Sequence, residues 1–389
     1  MPTSLRLATQ ADDPALRRLL RENPMPGSIS LTYEREPDYF IAARMEGTLS
    51  QTIVQVEDAT GAFLGMGTRI VRPMYLNGEI QNVGYMSHLR ADLHRPWGLS
   101  LARQLSRAFG KFHELHADGL VPFYLMSIIA DNAPAHRLLT SGLPGLPQAR
   151  EYARLYTYAV SPRHPRAEIP LPNGMQLQGG MPSLVSGIMD CLQRNAVKRQ
   201  FSPAWTSIHS PLPPLGEGPG MRAAMWRNTP TPNLHIEDFI LAVKGSRVVG
   251  CLAIWDQTPF KQTVARGYSG WMAHGRPLIN LLACFVDLPY LPPVGAPISY
   301  CYISHLAIDD DDPRVFTSLL RAAYNATHRR GFNYFMIGLA EADPLRAVLI
   351  KNYLHITYPS QVYLMAWDDG LEAVAQVDGR IPGLEIAIL

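Results

Sequence analysis

Tyr85-Met86-Ser87-His88-Leu89 returns as Tyr302-Ile303-Ser304-His305-Leu306, 217 residues later, with four of five residues identical. The first copy runs into Arg95-Pro96-Trp97-Gly98-Leu99-Ser100 and an apolar helix. The second runs into Asp312-Pro313-Arg314-Val315-Phe316-Thr317 and an apolar helix. Each then gives a strand and a Pro-containing turn into another helix, Asn132-Ala133-Pro134-Ala135 in one and Ala342-Asp343-Pro344-Leu345 in the other. One order of elements, met twice, predicts a duplicated α/β unit whose copies have diverged at a single loop.

Length agrees, because 389 residues exceed one ordinary core and fit two domains of roughly 160 to 210 residues. Hydrophobic residues make up 47% and charged residues 17%, the balance of a compact globular protein, and no apolar run approaches the roughly 20 residues that span a bilayer. Membrane insertion is not expected. The start, Met1-Pro2-Thr3-Ser4-Leu5-Arg6, has no secretory pattern, and Cys191, Cys251, Cys284 and Cys301 have no CxxC spacing, which reads as a reduced, cytoplasmic protein. A net charge of +2 with dispersed basic residues excludes a nucleic-acid stripe, so a small-molecule or peptide substrate is expected.

Residues 161–174 combine extended-chain Pro with polar residues, as a linker does, and divide a domain at 1–160 from one at 175–389. In the first half, a strand near Ser4–Leu7 precedes Asp13-Pro14, a cap followed by Pro at the first helical position, and a helix over Ala15–Glu22. Apolar or alternating runs near Thr52–Val56, Phe63–Val71 and Asn82–Leu89 predict strands, with a turn at Asp58–Gly61. A helix over Leu99–Leu115, a strand over Phe123–Ile129, a short helix from Ala133 and a strand over Ala153–Val160 complete the order β-α-β-β-β-α-β-α-β. The second half repeats it and adds a Pro/Gly-rich stretch, 202–233, and a tail, 370–389.

A strand that enters a helix through a Gly-containing turn presents free N–H groups and the positive end of a helix dipole, a phosphate site. Arg95 to Ser100 fits, with Gly98 for close approach, Ser100 as a small donor, and Arg95 or Arg103 as phosphate partners. The element order, this loop and Asn132-x-x-Ala135 resemble the GCN5-related N-acetyltransferases (GNAT), whose loop reads R/Q-x-x-G-x-G/A; here Ser100 takes the last position. The resemblance implies two tandem GNAT-like domains of class α/β (α+β), each a mixed, mainly antiparallel sheet flanked by helices. It also implies acetyl-CoA as co-substrate, held by Arg95, Trp97, Gly98, Leu99, Ser100, Arg103, Asn132 and Ala135, with a backbone N–H of Leu89 or Arg90 polarising the thioester. Pro96 removes one donor from the cradle. In the second copy, Asp309-Asp310-Asp311-Asp312 and the absence of Gly would repel such a cofactor, and Asp312-Pro313 reads as a helix cap. Chemistry is therefore expected in the N-terminal copy alone.

Acetyl transfer to a primary amine needs a base, an oxyanion donor and an acid for the thiolate. His88 is the best-placed base, with Tyr85 and Glu79 behind it, although its twin His305 favours a structural role. The family's Tyr acid corresponds to Leu139, which leaves Tyr124 or solvent. The stretch Trp255-Asp256-Gln257, Lys261-Gln262 and Arg266-x-Tyr268 either lines a cleft or forms a solvated hairpin. The carboxylates of Tyr33-Glu34-Arg35-Glu36-Pro37-Asp38-Tyr39 either select a cationic amine or are surface charges. His113-x-x-His116 lacks the further ligands of a metal site, and no metal is expected. Three functional readings stand: an N-acetyltransferase for a small-molecule or peptide amine, a non-catalytic CoA-ligand-binding or scaffold protein of the same fold, and a transferase of another acyl group. A homo-oligomer is compatible with each.

Overall fold

The computed structural model describes residues 3–25, 29–92, 100–172, 174–205, 232–282 and 290–389. The first half contains β1 (Thr3–Leu7), α1 (Asp13–Glu22), β2 (Ile29–Glu34), α2 (Tyr39–Glu46), β3 (Leu49–Glu57), β4 (Phe63–Leu76), β5 (Glu79–Ala91), α3 (Ser100–His116), β6 (Tyr124–Ile129), α4 (Ala133–Leu139) and β7 (Gln148–Val160). The second contains β8 (Met175–Gly179), α5 (Val185–Ala196), β9 (Ser202–Pro203), β10 (Phe239–Lys244), β11 (Arg247–Trp255), β12 (Gln262–Tyr268), α6 (Trp271–Leu282), β13 (Tyr300–Ile308), α7 (Pro313–Arg329), β14 (Tyr334–Ala340), α8 (Leu345–Asn352), β15 (His355–Ala366) and α9 (Leu371–Ala375). The expected order is present, with β2 and α2 inserted. Helix α1 starts one residue before Pro14, so Asp12 is its cap, while Asp13 accepts from the Tyr39 N–H at 2.7 Å and pairs with Arg17.

The strands form one mainly antiparallel sheet in the order β1-β3-β4-β5-β6-β15-β7-β14-β13-β11-β10-β8, and its two halves mirror each other. Parallel pairing joins β5 to β6 and β13 to β14, the strands that a helix crossover separates in each half. The last strands are exchanged. β15 lies between β6 and β7, pairing from Ser360↔Ile129 to Met365↔Tyr124, and β7 pairs with β14 from Phe335↔Val160 to Ala340↔Leu155. The halves therefore share backbone hydrogen bonds as well as side-chain contact.

Helices cover both faces through apolar stripes at helical spacing. Val315, Phe316, Leu319, Leu320 and Ala323 of α7 are buried on the second half, and Phe109 and Phe112 of α3 meet Tyr124, Met126 and Trp367 on the first. Residues 161–172 run along α7 as a strap: Ser318 Oγ donates to the Pro170 carbonyl at 3.0 Å, Arg321 to Ala167 at 2.8 Å and Asn325 to Arg166 at 2.8 Å. Of the Pro/Gly-rich stretch, β9 pairs with β4, Ala204 and Trp205 are buried, and residues 206–231 lie outside the described residues.

Candidate functional site

The echo is a β-bulge. Met66 pairs with Arg90 and Thr68 with Ser87, so His88 and Leu89 together face Gly67; Cys251 pairs with Ala307 and Ala253 with Ser304, so His305 and Leu306 face Leu252. The two His residues take left-handed φ values of 51° and 53°. Among non-glycine residues His is one of the few enriched there. In each copy the preceding Ser Oγ meets the His Nδ1, at 2.7 Å for Ser87 and 3.0 Å for Ser304. The repeated Ser-His is thus a bulge-forming unit in both copies.

Beyond the first bulge the sheet opens. β5 and β6 pair only at Gly84↔Tyr124 and Tyr85↔Leu125, and at Gly84 a Cβ would stand 2.2 Å from the Tyr124 ring. The strands touch closely there and then part. The gap leads into a cavity of about 400 Å³, within the range of small-ligand sites. Its walls are the bulge, β6, the start of α4, and a two-stranded ribbon in which β2 pairs with β12 from Gln262↔Glu34 to Tyr268↔Ile29. Eight tyrosines line it, from Tyr33 and Tyr85 of the first half to Tyr302 and Tyr358 of the second, among aliphatic and polar residues.

Of the residues expected at the site, Tyr85, His88, Leu89, Arg90, Asn132 and Ala135 all border this cavity. Asn132 Oδ1 accepts from the Ala135 N–H at 3.3 Å, capping α4 at the cavity mouth. Ser100 opens α3, and Arg103 is on that helix's exposed side. Arg95, Trp97, Gly98 and Leu99 lie outside the described residues. Glu79 does not belong to the site. The Asn77-Gly78 turn, with φ of 54° and 87°, pairs Leu76 with Glu79 and leaves Glu79 exposed at the far end of β5, roughly 30 Å from His88. Tyr124 is also removed as an acid, because it is buried in the core accepting from Arg69 Nε at 2.9 Å. Leu139 gives the cavity an apolar wall.

His88 is held as a neutral ring. Arg35 Nη2 donates to its Nε2 at 2.8 Å, which places the ring proton on Nδ1 toward Ser87 Oγ. Burial and then the Arg35 charge push its pKa well below the usual value, with Glu46 opposing. The ring nitrogen that would accept a substrate proton already accepts from a guanidinium, so this geometry makes His88 a weak base. Tyr85 donates to or accepts from Ser127 Oγ at 2.6 Å, and burial raises its pKa.

The carboxylates of the Tyr33–Tyr39 segment do not reach the cavity free. Glu34 pairs with Arg266, Glu36 with Arg17 and with Arg21 at 2.8 Å, and Asp38 caps α2 through the Phe40 N–H at 2.6 Å. Arg35 lines the cavity together with Tyr33 and the paired Glu34, and is itself paired with Glu46 at 2.5 Å. Lys261, Gln262 and Tyr268 line it from the other half, whereas Trp255 Nε1 and Gln257 Nε2 donate to the carbonyls of Pro232 and Ala387 at 2.9 Å each. Nothing local in the sequence marks Arg35 or Lys261, since strands 230 residues apart bring them together.

In the second half the cavity at the bulge is smaller, about 130 Å³, and the tail residues Pro382, Gly383, Leu384 and Glu385 line it. Glu385 accepts from the His305 N–H at 3.0 Å, and Ile386 sits over Gly338 so closely that a Cβ there would lie 2.2 Å from its Cγ2. His305 stacks on Trp205 with centroids 3.9 Å apart. The acidic run is neutralised: Asp309 by Arg194 at 2.8 Å, and Asp311 and Asp343 by Arg199 at 2.6 Å each; Asp312 caps α7. His113 and His116 pack against Trp367, and among the described residues no group of three His, Cys, Asp or Glu side chains is placed to hold a metal ion. No described helix is long and apolar enough to cross a membrane.

No family model matches the sequence, and no curated protein does. Solved structures do match in fold. A GCN5-related N-acetyltransferase from Sphaerobacter thermophilus aligns over 100% of this chain and 98% of its own at TM-score 0.55 and 12% identity. N-myristoyltransferase of Saccharomyces cerevisiae with bound myristoyl-CoA aligns over 94% of this chain and 83% of its own, at 0.55 and 9%. A glucosamine N-acetyltransferase region of a fungal multi-domain β-N-acetylglucosaminidase aligns over 94% of this chain and 38% of that one, at 0.56 and 9%. At these identities the likeness is one of fold.

Proposed function

We propose that this chain, built on the fold of the GCN5-related N-acetyltransferases, is an acyl-CoA-dependent N-acyltransferase. Its reaction is acetyl transfer from acetyl-CoA to a primary amine of a small molecule or peptide, in the N-terminal half. One observation carries this reading: the parting of β5 from β6 at the His88–Leu89 bulge, opening onto a cavity bordered by Asn132. The cavity at the second bulge is smaller, about 130 Å³ against about 400 Å³, and the tail lines it with Glu385, which accepts from the His305 N–H.

The residues present fit a CoA thioester. The bulge takes Leu89 out of regular pairing with β4 while Arg90 stays opposite Met66, and a backbone N–H of Leu89 or Arg90 would polarise the thioester carbonyl. Asn132 and the α3 N-terminus at Ser100 flank the route by which the cofactor would enter, with Arg95, Trp97, Gly98, Leu99 and Arg103 as its phosphate-side partners. His88 positions the bulge and Arg35. Tyr85, kept protonated by burial and joined to Ser127, is the hydroxyl available to protonate the departing thiolate. Leu139 favours a second reading, a non-catalytic CoA-ligand binder, since no Tyr stands at that wall. Calorimetric titration with acetyl-CoA, repeated on Gly98→Glu, tests binding; thiol release across an amine panel separates the readings. Absence of binding by the wild type, or equal binding by the variant, rejects the proposal.

A further inference from the structure

The cavity carries an imbalance of charge that acetyl transfer to a simple amine does not explain. Four basic side chains, Arg35, Arg72, Arg90 and Lys261, surround the inner end at His88 and Tyr85, and one carboxylate, Glu46, answers them. Glu46 Oε1 is shared between Arg35 Nη2 at 2.5 Å and Lys261 Nζ at 3.5 Å. The next nearest carboxylate on the cavity wall, Glu34, belongs to Arg266. Arg35 is 2% exposed and Arg72 1%; among the described residues, neither Arg35 Nη1 nor any of the three Arg72 nitrogens has a hydrogen-bond partner. The Arg72 guanidinium lies over the Tyr85 ring face, 5.2 Å from its centroid.

Buried guanidinium groups are costly unless an acceptor meets them, and among the described residues the one unmet acceptor of this cluster, Glu46 Oε2, is outnumbered by Arg35 Nη1 and the three nitrogens of Arg72. The shortfall is on the wall formed by Arg35 and Lys261, which line the cavity from the β2 and β12 sides of the ribbon. An anion entering there would meet the free Nη1 of Arg35 and the ammonium of Lys261, with Arg72 adding its field from behind. The carboxylates of the neighbouring segment, which would otherwise select a cation, are already paired with Arg17, Arg21 and Arg266.

We infer that Arg35 and Lys261 form a subsite for a carboxylate carried by one of the two reactants: an amino-acid-like acceptor bearing a carboxylate beside its amine, or a dicarboxylic acyl group. This rests on the acyl-transfer reading for its chemistry, but not for its binding.

The test pairs substrates that differ only in the anion. Thiol release is measured with amino acids against their amides using acetyl-CoA, and with succinyl-CoA against butyryl-CoA using a neutral amine. The carboxylate member of one pair is expected to lead by roughly 10- to 100-fold in kcat/KM, the worth of a charge-assisted hydrogen bond, and the pair that shows it identifies the source. In Lys261→Met the ratio should fall toward one. Calorimetric titration with succinate alone, on wild type and on Lys261→Met with its fold checked by circular dichroism, gives a readout independent of catalysis. Binding by the wild type that is weakened at least tenfold in the variant supports the subsite, even if acetyl-CoA proves not to bind and the acyl-transfer reading fails. Activity with equal rates for both members of each pair overturns the subsite and leaves the acyl-transfer reading standing. Failure of succinate to bind the wild type in an inactive protein also overturns it.

Discussion

Replacing Glu385 by Gln should change how the stability of this protein depends on pH. Glu385 lines the smaller cavity at the bulge of the second half, where its two carboxylate oxygens accept from the N–H groups of His305 at 3.0 Å and Ala387 at 3.1 Å. Burial pushes its carboxyl from 4.5 up to about 7, against the pull of those two N–H donors. A carboxyl whose folded-state pKa is raised favours the native state when protonated. Its stabilising contribution is therefore complete below pH 4.5 and is lost as pH rises through 7. The span corresponds to about 3 kcal/mol at about 1.4 kcal/mol per pH unit, and the partial solvent contact of the side chain reduces the expectation to about 2 kcal/mol. Gln is neutral throughout and mimics the protonated acid. Urea unfolding of wild type and Glu385→Gln, at intervals from pH 4.5 to 8, should show the variant gaining about 2 kcal/mol relative to wild type across that range. A stability difference that stays flat with pH would refute the reasoning, and with it the placement of the tail carboxylate at the second bulge.

Other expectations concern the first half. Glu46→Gln should destabilise the fold by about 3 kcal/mol at pH 7 because Arg35 loses its buried partner. Burial alone would raise the Glu46 pKa, but Arg35 and Lys261 hold it at about 2, so wild type, unlike the variant, should lose stability as pH falls from 4.5 toward 2. Gly84→Ala places a methyl 2.2 Å from the Tyr124 ring, where overpacking of a strand contact costs about 1 to 3 kcal/mol; urea midpoints report it. Tyr85→Phe removes the hydroxyl paired with Ser127 and should lower kcat by roughly 10²-fold or more while changing the affinity for acetyl-CoA little, as read by thiol release and calorimetry.

The parts of the fold legible in the sequence were those decided locally. Helices α1, α3 and α7 announce themselves by Pro near their starts or by apolar spacing, and the order of elements in both halves follows from alternation and turns. Strand β2 did not, because its partner β12 lies 230 residues away and its own alternation is short. Exchange of β7 and β15 was likewise invisible, since antiparallel register with either half satisfies the same apolar pattern. At the site, the echo marked a strand shared by both halves but not that it bulges, and residues on that one strand, Tyr85, His88, Leu89 and Arg90, border the cavity together. Arg35 was hidden among carboxylates that looked more informative, and only the partners Arg17, Arg21 and Arg266, brought in by other elements, show those carboxylates to be spent. His88 illustrates the same limit, because its type suggests a base while its neighbour Arg35 takes the accepting nitrogen. The tail adds to the repeated order of elements, and it lines both cavities, with Glu385 at the second bulge and Ile386 and Leu389 at the first.

In the proposed reading an acyl-CoA enters where β5 parts from β6 in the first half, and not at the smaller cavity of the second half that the tail lines. Isothermal titration with acetyl-CoA checks this, with saturable binding at one site per chain, abolished by Gly98→Glu, as the expected result. Two sites per chain, or none, would contradict it.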